Sequence, residues 1–364
     1  MAIRIVPLGD REVEEARAFN ARMEAAGAPG DFISDRPGPS GGGIVRQQYV
    51  ALDGRVHGGV LECAYPAWLN GAEMTAYNYQ SPISEGIIDR RYGLVAVLLI
   101  KFMHQQGRHL FMVGMGADTR LPRLMTASGW VVRSVPFLFR VHQASRLLAE
   151  MPLLRSSRVR AMGATLLAAS GAGRLGAGLL QGKGLGARLA TRDYSIGPLE
   201  EWGGWADELW ERFLPHCSFA VQRNRRALAE MYPTSDDRVL RFVVKRRGRI
   251  VGWSACLNTQ MVGSLHFGNL RVATILDAVA PPESMEATIA LTDGRLRSVG
   301  ADLVVSNQAH GRWQEAFRAC GFLEGPSNYQ FAASRALAEE IGSQAEGGLR
   351  VHLNRGDAEG RIHL

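Results

Sequence analysis

Two short stretches combine glycine with basic residues in a way that suits anion binding: Asp-Arg-Arg-Tyr-Gly-Leu-Val-Ala at 89–96 and Gln-Gly-Lys-Gly-Leu-Gly-Ala at 181–187. Where such a turn opens a helix, successive backbone N–H groups point into one concavity. The helix N-terminus adds partial positive charge there, and glycine lets a phosphate come close. The contexts of the two stretches differ. The first follows a strand of alternating pattern and runs into the apolar stretch Leu-Val-Ala-Val-Leu-Leu-Ile, whereas the second sits in a glycine-rich connector. A glycine-rich segment satisfies a short pattern cheaply, so context favours 90–95. The plain alternative for that turn is a helix start with two surface arginines. The four cysteines, Cys63, Cys217, Cys256 and Cys320, lie far apart without CxxC spacing. A zinc site or a disulfide framework is therefore not expected, and a reducing cytoplasm fits.

The elements that must position these groups are bounded by composition. A chain of 364 residues, 46% hydrophobic and 21% charged, reads as globular and as two domains. The N-terminus turns charged within its first ten or so residues, without the apolar core of a secretory signal. The apolar runs at 92–100 and 164–173 are too short to cross a bilayer, so no transmembrane segment is expected. The net charge of +7 is compatible with phosphorylated cofactors, RNA or an acidic membrane face, and equally with an arginine-rich composition of no functional meaning.

Three landmarks recur at nearly constant spacing. Pro7 and Pro198 stand 191 residues apart, the hairpin glycines Gly54 and Gly248 stand 194 apart, and Gly129 and Gly321 stand 192 apart. This period is too long for a solenoid and indicates a duplicated domain. Each copy reads as a strand, a helical stretch (12–26; 205–232, interrupted at Pro215), a hairpin (49–62; 242–257), an alternating strand (73–82; 264–279) and a helix (94–106; 285–299). A buried strand follows, then a short helix ending at Gly129 or Gly321, where a left-handed cap is expected. The mixture of antiparallel strands and helices predicts an α+β (mixed α/β) fold. The expected domains are 1–145 and 193–338, separated by a basic Gly/Ala/Leu-rich connector at 146–192 and followed by a tail at 339–364. The connector reads as a packed crossing segment or as a surface-bound basic amphipathic helix with peripheral membrane contact. The tail reads as an edge strand or as a segment lying across the surface.

This order of elements resembles the GNAT (GCN5-related) N-acyltransferase fold over roughly 300 residues, and two copies in one chain resemble the tandem layout of Fem-type aminoacyl transferases. The resemblance implies an acyltransferase that moves an acetyl or other acyl group from acyl-coenzyme A to an amine. It places the cofactor pyrophosphate on a turn of form Q/R-x-x-G-x-G/A. Arg90, Gly93 and Leu94 match that turn, while Val95 replaces the final small residue with a branched side chain. The implied cofactor-binding set is Ile83, Ser84, Arg90, Arg91, Tyr92, Gly93, Leu94 and Val95. The second copy has Ala-Pro-Pro-Glu-Ser-Met-Glu-Ala-Thr at the matching place, 280–288, where two prolines lack N–H groups and two glutamates repel phosphate. One cofactor site, in the first copy, is expected, with the second copy shaping the acceptor site.

Acyl transfer to an amine needs a base for the ammonium, a donor for the oxyanion and, optionally, an acid for the thiolate. By the family pattern the oxyanion donor is a backbone N–H next to Pro82, from Ile83 or Ser84. The candidate bases are Glu85, Glu62 and His57, each with a structural reading beside it. The family's acid tyrosine is absent: Met125 and Phe317 stand at its two positions, leaving Tyr77, Tyr79 or Tyr92 as substitutes, an unassisted leaving group, or lost activity. Asn307 reads as a cap of the following helix, and Trp202, Trp205 and Trp210 read as core packing or a substrate groove. Three readings result: a cytoplasmic N-acyltransferase acting on a small-molecule amine; a Fem-like transferase drawing on aminoacyl-tRNA or acyl carrier protein, with the connector arginines on phosphate; and a catalytically degenerate binding module.

Overall fold

The computed structural model describes residues 2–28, 33–34, 43–116, 119–152, 191–342 and 349–358. Most of the connector, including the glycine turn at 181–187, lies outside the described residues. The first half of the chain forms β1 (Arg4–Pro7), α1 (Val13–Ala25), β2 (Val45–Leu52), β3 (Val56–Leu69), β4 (Ala72–Ser84), α2 (Val95–Gln105), β5 (Leu110–Gly116), α3 (Leu121–Ala127), β6 (Val131–Ser134), β7 (Phe137–Val141) and α4 (Ala144–Glu150). The second half repeats the plan with β8 (Tyr194–Pro198), α5 (Gly204–Phe213), β9 (Phe219–Val221), α6 (Arg225–Met231), β10 (Leu240–Arg246), β11 (Arg249–Gln260), β12 (Arg271–Val279) and α7 (Pro282–Ser298). It continues with β13 (Leu303–Asn307), α8 (Gly311–Ala319), β14 (Leu323–Gly325), β15 (Tyr329–Ala333), α9 (Arg335–Ile341) and β16 (Val351–His352).

The helical stretch expected over 205–232 is broken more deeply than one proline requires. Pro215 ends α5 in a 3-10 turn, and the apolar Phe219–Val221 then pairs as β9 with Ala67–Leu69 of β3. The strand expected from 264 starts instead at Arg271, because Gly263 and Gly268, both at positive φ, close a tight loop ahead of it. Gly129 (φ 86°) and Gly321 (φ 83°) adopt the left-handed conformation expected of them.

The molecule divides into two units that are discontinuous in sequence. Unit 1 comprises Met1–Ser134, Ser218–Gln222 and Asn328–Ser343; unit 2 comprises Val135–Cys217, Arg223–Ser327 and Gln344–Leu364. The cause is a reciprocal strand exchange. In unit 1 the sheet runs β1-β2-β3-β4-β5-β15-β6, and in unit 2 it runs β14-β7-β13-β12-β11-β10-β8. β7 and β15 are the same element of the two copies, with Phe139 and Phe331 standing 192 residues apart, and each completes the other copy's sheet. Residues 135–145, counted with the first domain in the sequence reading, therefore belong to unit 2, and 328–338 belong to unit 1.

In unit 1, α1 packs Ala16, Phe19 and Met23 on one face of the sheet against Val50, Val56 and Ile83. The helix α2 packs Val95, Leu99 and Met103 on the other, against Val60, Tyr79 and Leu110. The glycines that open the repeated hairpin strands make the helix seats possible. A Cβ on Gly58 would lie 2.7 Å from Val95 Cγ1, and one on Gly252 would lie 2.4 Å from Thr288 Oγ1 of α7.

Candidate functional site

The site of unit 1 begins where two parallel strands separate. β4 pairs with β5 only at Tyr77–Leu110 and Asn78–Phe111, after which β4 continues to Ser84 and β5 to Gly116 without pairing to each other. A bulge at Ser81–Pro82, with Ser81 at φ 45°, shifts the register of β4 on β3 and turns its end away from β5. The opening exposes a strand edge able to hydrogen-bond an extended amide chain. Ile83 and Ser84 lie on this diverging end; the Ile83 side chain points into the α1 core.

At the end of β4 the chain forms two 3-10 turns, Glu85–Ile87 and Arg90–Tyr92, before α2. The Ser84 hydroxyl accepts from Gly86 N (3.1 Å) and donates to the carbonyl of Tyr92 (3.3 Å). Gly86 packs so tightly that a Cβ there would lie 2.8 Å from Gly93 Cα. Within the second turn, the N–H groups of Arg91, Tyr92 and Gly93 are satisfied by Asp89 Oδ1, Asp89 O and Arg90 O. The groups left for an anion are those of the first turn of α2, whose internal bonding starts with Leu98 N to Leu94 O. Arg90 is exposed and forms no ion pair among the described residues, whereas Arg91 is bound through its guanidinium to Asp89 (2.6–3.1 Å). Gly93 has an ordinary helical φ of −58°, and Leu94 is 72% exposed. The branched Val95 does not crowd the turn: its side chain is fully buried against Gly58.

The three candidate bases fall into two places. His57 and Glu85 are bound to each other. His57 Nδ1 lies 2.5 Å from Glu85 Oε2, its Nε2 lies 2.9 Å from Asp53 Oδ1, and its ring stacks on Tyr92 at 4.0 Å. Arg22 of α1 donates to Glu85 Oε1 (3.1 Å) and to the Val56 carbonyl (2.7 Å). Burial alone would raise the Glu85 pKa, but the hydrogen bonds from Arg22 and His57 outweigh it and hold the carboxyl below its ordinary value. The His57 bond also lowers Asp53. The whole chain of contacts clasps α1, β3 and the turn together.

Glu62 is differently placed. It faces Tyr79 across the β3–β4 ladder, immediately beyond the last residue of β4 that pairs with β5. Its Oε1 accepts from Arg108 (2.6 Å), while the buried Oε2 has no hydrogen-bond partner among the described residues. Burial raises its pKa, against the opposing pull of Arg108, whose guanidinium lies 4.6 Å over the Tyr77 ring. Of the substitute acids, Tyr79 is fully buried with no hydrogen-bond partner for its hydroxyl among the described residues, Tyr92 is stacked on His57, and Tyr77 lies under Arg108. Met125 is wholly buried and cannot serve.

Sequence reasoning missed the partners Arg22, Asp53 and Arg108. Arg108 follows Gly107 at the end of α2, a position that any solvated arginine fits. Arg22 lies in α1, a partner of Glu85 from 63 residues away.

Unit 2 has the same opening but fills it. β12 and β13 pair from Val272–Leu303 to Thr274–Val305, and a bulge at Leu276 then turns β12 aside. Only Ala280 and Pro281 separate β12 from α7, so no phosphate turn is formed. Between the diverging ends lies the chain's own C-terminal segment. Leu349 and Leu353 accept from Gly311 N and Ala309 N, while Asn354 Nδ2 donates to Asp277 Oδ1 (2.7 Å). Arg223, fully buried, bridges Asp277 (2.6 Å) and Asp357 (2.7 Å), and Tyr232 donates to Asp277 (3.0 Å). Burial would raise Asp277, yet Arg223, His352 and Asn354 hold it well below the carboxylate range. Residues 349–358 of the tail thus include the short strand β16 and fill the opening rather than lie across the surface.

Asn307 does not cap the next helix; its amide donates to the Pro136 carbonyl (3.2 Å), a contact created by the exchanged β7. Trp202 and Trp210 pack within unit 2, Trp202 at 5.2 Å from Trp253 and Trp210 at 6.0 Å from Phe213. All four cysteines are buried, and none of them is in a disulfide among the described residues. Among the described residues there is no His/Cys/Asp/Glu group able to hold a metal, and no helix is long and apolar enough to cross a membrane.

No protein-family model and no curated protein matches the sequence. Solved structures do match in fold. A probable N-acyltransferase from Enterococcus faecalis aligns with a TM-score of 0.51 at 9% identity, covering 93% of this chain and 74% of its own. A GCN5-related N-acetyltransferase from Anabaena variabilis gives 0.52 at 9%, covering 91% and 72%. Saccharomyces cerevisiae N-myristoyltransferase with bound myristoyl-CoA gives 0.50 at 5%, covering 92% and 82%. Two sheets of one plan, each opening at the same pair of parallel strands, identify the chain as a tandem GNAT fold.

Proposed function

We propose that the protein is an N-acyltransferase whose unit 1 takes an acyl group from a coenzyme A thioester and passes it to an amine. The observation that carries this reading is the contrast between the two clefts. Among the described residues, none fills the unit 1 cleft at the N-terminus of α2 and none forms an ion pair with Arg90, while the unit 2 cleft is filled by residues 349–358. The pantetheine arm would run along the free edge of β4. Its phosphate would meet the first N–H groups of α2 and Arg90. A backbone N–H of Ile83 or Ser84 would face the oxyanion. Glu62 is the preferred base, because an orphaned carboxylate oxygen with a raised pKa can accept the ammonium proton, whereas the oxygens of Glu85 and both nitrogens of His57 are engaged. With Met125 in place of an acid, the thiolate leaves unassisted or takes a proton from solvent.

The myristoyl-CoA-bound neighbour supports an acyl-CoA donor in general terms. Calorimetric titration with acetyl-CoA, on wild type and on Arg90→Glu/Gly93→Trp, tests the reading. Micromolar binding that the double variant loses supports it. A folded wild type that binds no acyl-CoA refutes the coenzyme A donor and moves attention to aminoacyl-tRNA.

A further inference from the structure

The rim of the unit 1 cleft carries a surface that a small thioester does not explain. Four of the nine most exposed large aliphatic side chains among the described residues fall within residues 87–97: Ile87 (56%), Ile88 (37%), Leu94 (72%) and Val97 (36%). They form one neighbourhood, because Gly86 packs on Gly93 and joins the first 3-10 turn to the start of α2, where Leu94 and Val97 are one turn apart. A soluble chain seldom leaves such a group in water without a partner to cover it.

Cations surround this apolar group on both lips of the cleft. Arg90 and Arg91 stand on the β4 side. β5 is parallel to β4, so its C-terminal end lies at the same end of the sheet and brings Arg120 and Arg123 of the α3 region to the other side. Arg90, Arg120 and Arg123 are exposed and form no ion pair among the described residues. The occupant should therefore be acidic, with apolar side chains among its carboxylates.

The turn itself narrows the choice. It satisfies the N–H groups of Arg91, Tyr92 and Gly93 internally, which leaves one helix N-terminus. That end takes one phosphate of the donor, which a phosphopantetheine arm supplies whether coenzyme A or a carrier protein bears it. An acyl thioester on a phosphopantetheine arm with one phosphate is what a carrier protein presents. Because the patch lies beside the helix N-terminus that would hold the donor's phosphate, whatever covers it must bring the donor with it. A membrane or a second copy of the chain seated there would close the cleft.

We infer that an acidic carrier protein bearing a phosphopantetheine thioester docks on the surface of Ile87, Ile88, Leu94 and Val97, guided by the arginines on either lip. The inference rests on the reading of unit 1 as a thioester-binding acyltransferase and specifies how the thioester arrives.

The test is fluorescence anisotropy with an acetyl-loaded bacterial fatty-acid-synthesis carrier protein, run beside acetyl-CoA calorimetry and sedimentation with vesicles containing phosphatidylserine. The expected result is micromolar carrier binding that weakens steeply with salt. Ile87→Asp/Ile88→Asp should lose about tenfold or more in carrier affinity, with acetyl-CoA affinity unchanged within about twofold, which also shows that the variant is folded. Wild type that binds acetyl-CoA but not the carrier overturns the docking proposal and leaves the acyltransferase reading standing. So does carrier binding indifferent to Ile87 and Ile88, or vesicle binding that depends on them without carrier binding. Failure of both donors removes the thioester-donor reading and the docking proposal together.

Discussion

Glu62 and Glu85 are both buried carboxylates beside an arginine, and they differ in how many of their oxygens are engaged. Glu85 accepts on both, so folding favours its charge; Glu62 accepts on one, and burial favours its proton. A base with a raised pKa puts the acid limb of kcat/KM above the ordinary glutamate value of about 4.3. Glu62→Gln should remove that limb and lower kcat by about a hundredfold or more without changing acetyl-CoA affinity. Persistence of the limb in the Gln variant would exclude Glu62 as the base. Arg108→Met withdraws the charge that opposes burial and should move the limb further up. For Glu85 the sign is opposite. Its depressed pKa makes the clasp fully stabilising above about pH 4.3, and that contribution is lost as pH falls through the lower folded value. Glu85→Gln should therefore lower Tm at neutral pH and flatten the fall in Tm on acidification, as scanning calorimetry across the acid range would show.

At the scale of elements, two devices recur in both copies: a glycine that seats a helix on a strand, and a bulge that parts two parallel strands. Gly58→Val would press on Ile83 O (2.6 Å from the added Cβ) and on Val95, at a cost of about 1–3 kcal/mol. It should also displace the start of α2 and weaken acetyl-CoA binding; unchanged binding would separate the helix seat from the site. The tail is the element that distinguishes the clefts. Arg223→Ala leaves two buried carboxylates without their cation and should cost about 3–5 kcal/mol in chemical denaturation. The repeat, the hairpins, the helix caps and the turn at 90–95 were legible in the sequence because periodicity and glycine placement are local signals. The plug was not. Asn354 and Asp357 owe their roles to Asp277 and Arg223, well over a hundred residues away in sequence for Asp357 and Arg223, and no local pattern marks such a pairing. The placement of Val95 was not legible either, since only the structure shows its side chain turned toward Gly58.

At the scale of the whole molecule, duplication allowed an exchange that no linear reading reveals. β7 and β15 stand at the same place in the order of the two copies, and that order does not say which sheet takes which strand. The exchange predicts a crosslink. Met112 and Ala332 face each other across β5 and β15, within the span of a disulfide. Met112→Cys/Ala332→Cys should oxidise to an internal bridge, whereas Met112→Cys/Arg140→Cys, which tests the unexchanged pairing, should not; the reverse outcome would show each copy keeping its own strand. If one cleft takes a thioester and the other is closed by the chain itself, hydrogen–deuterium exchange with and without saturating acetyl-CoA should distinguish them. Protection is expected at 79–97 and 112–116 alone, with 275–282 and 349–358 slow to exchange and unchanged in both states. Protection appearing at 275–282, together with faster exchange of 349–358 as the tail is displaced, would contradict that expectation.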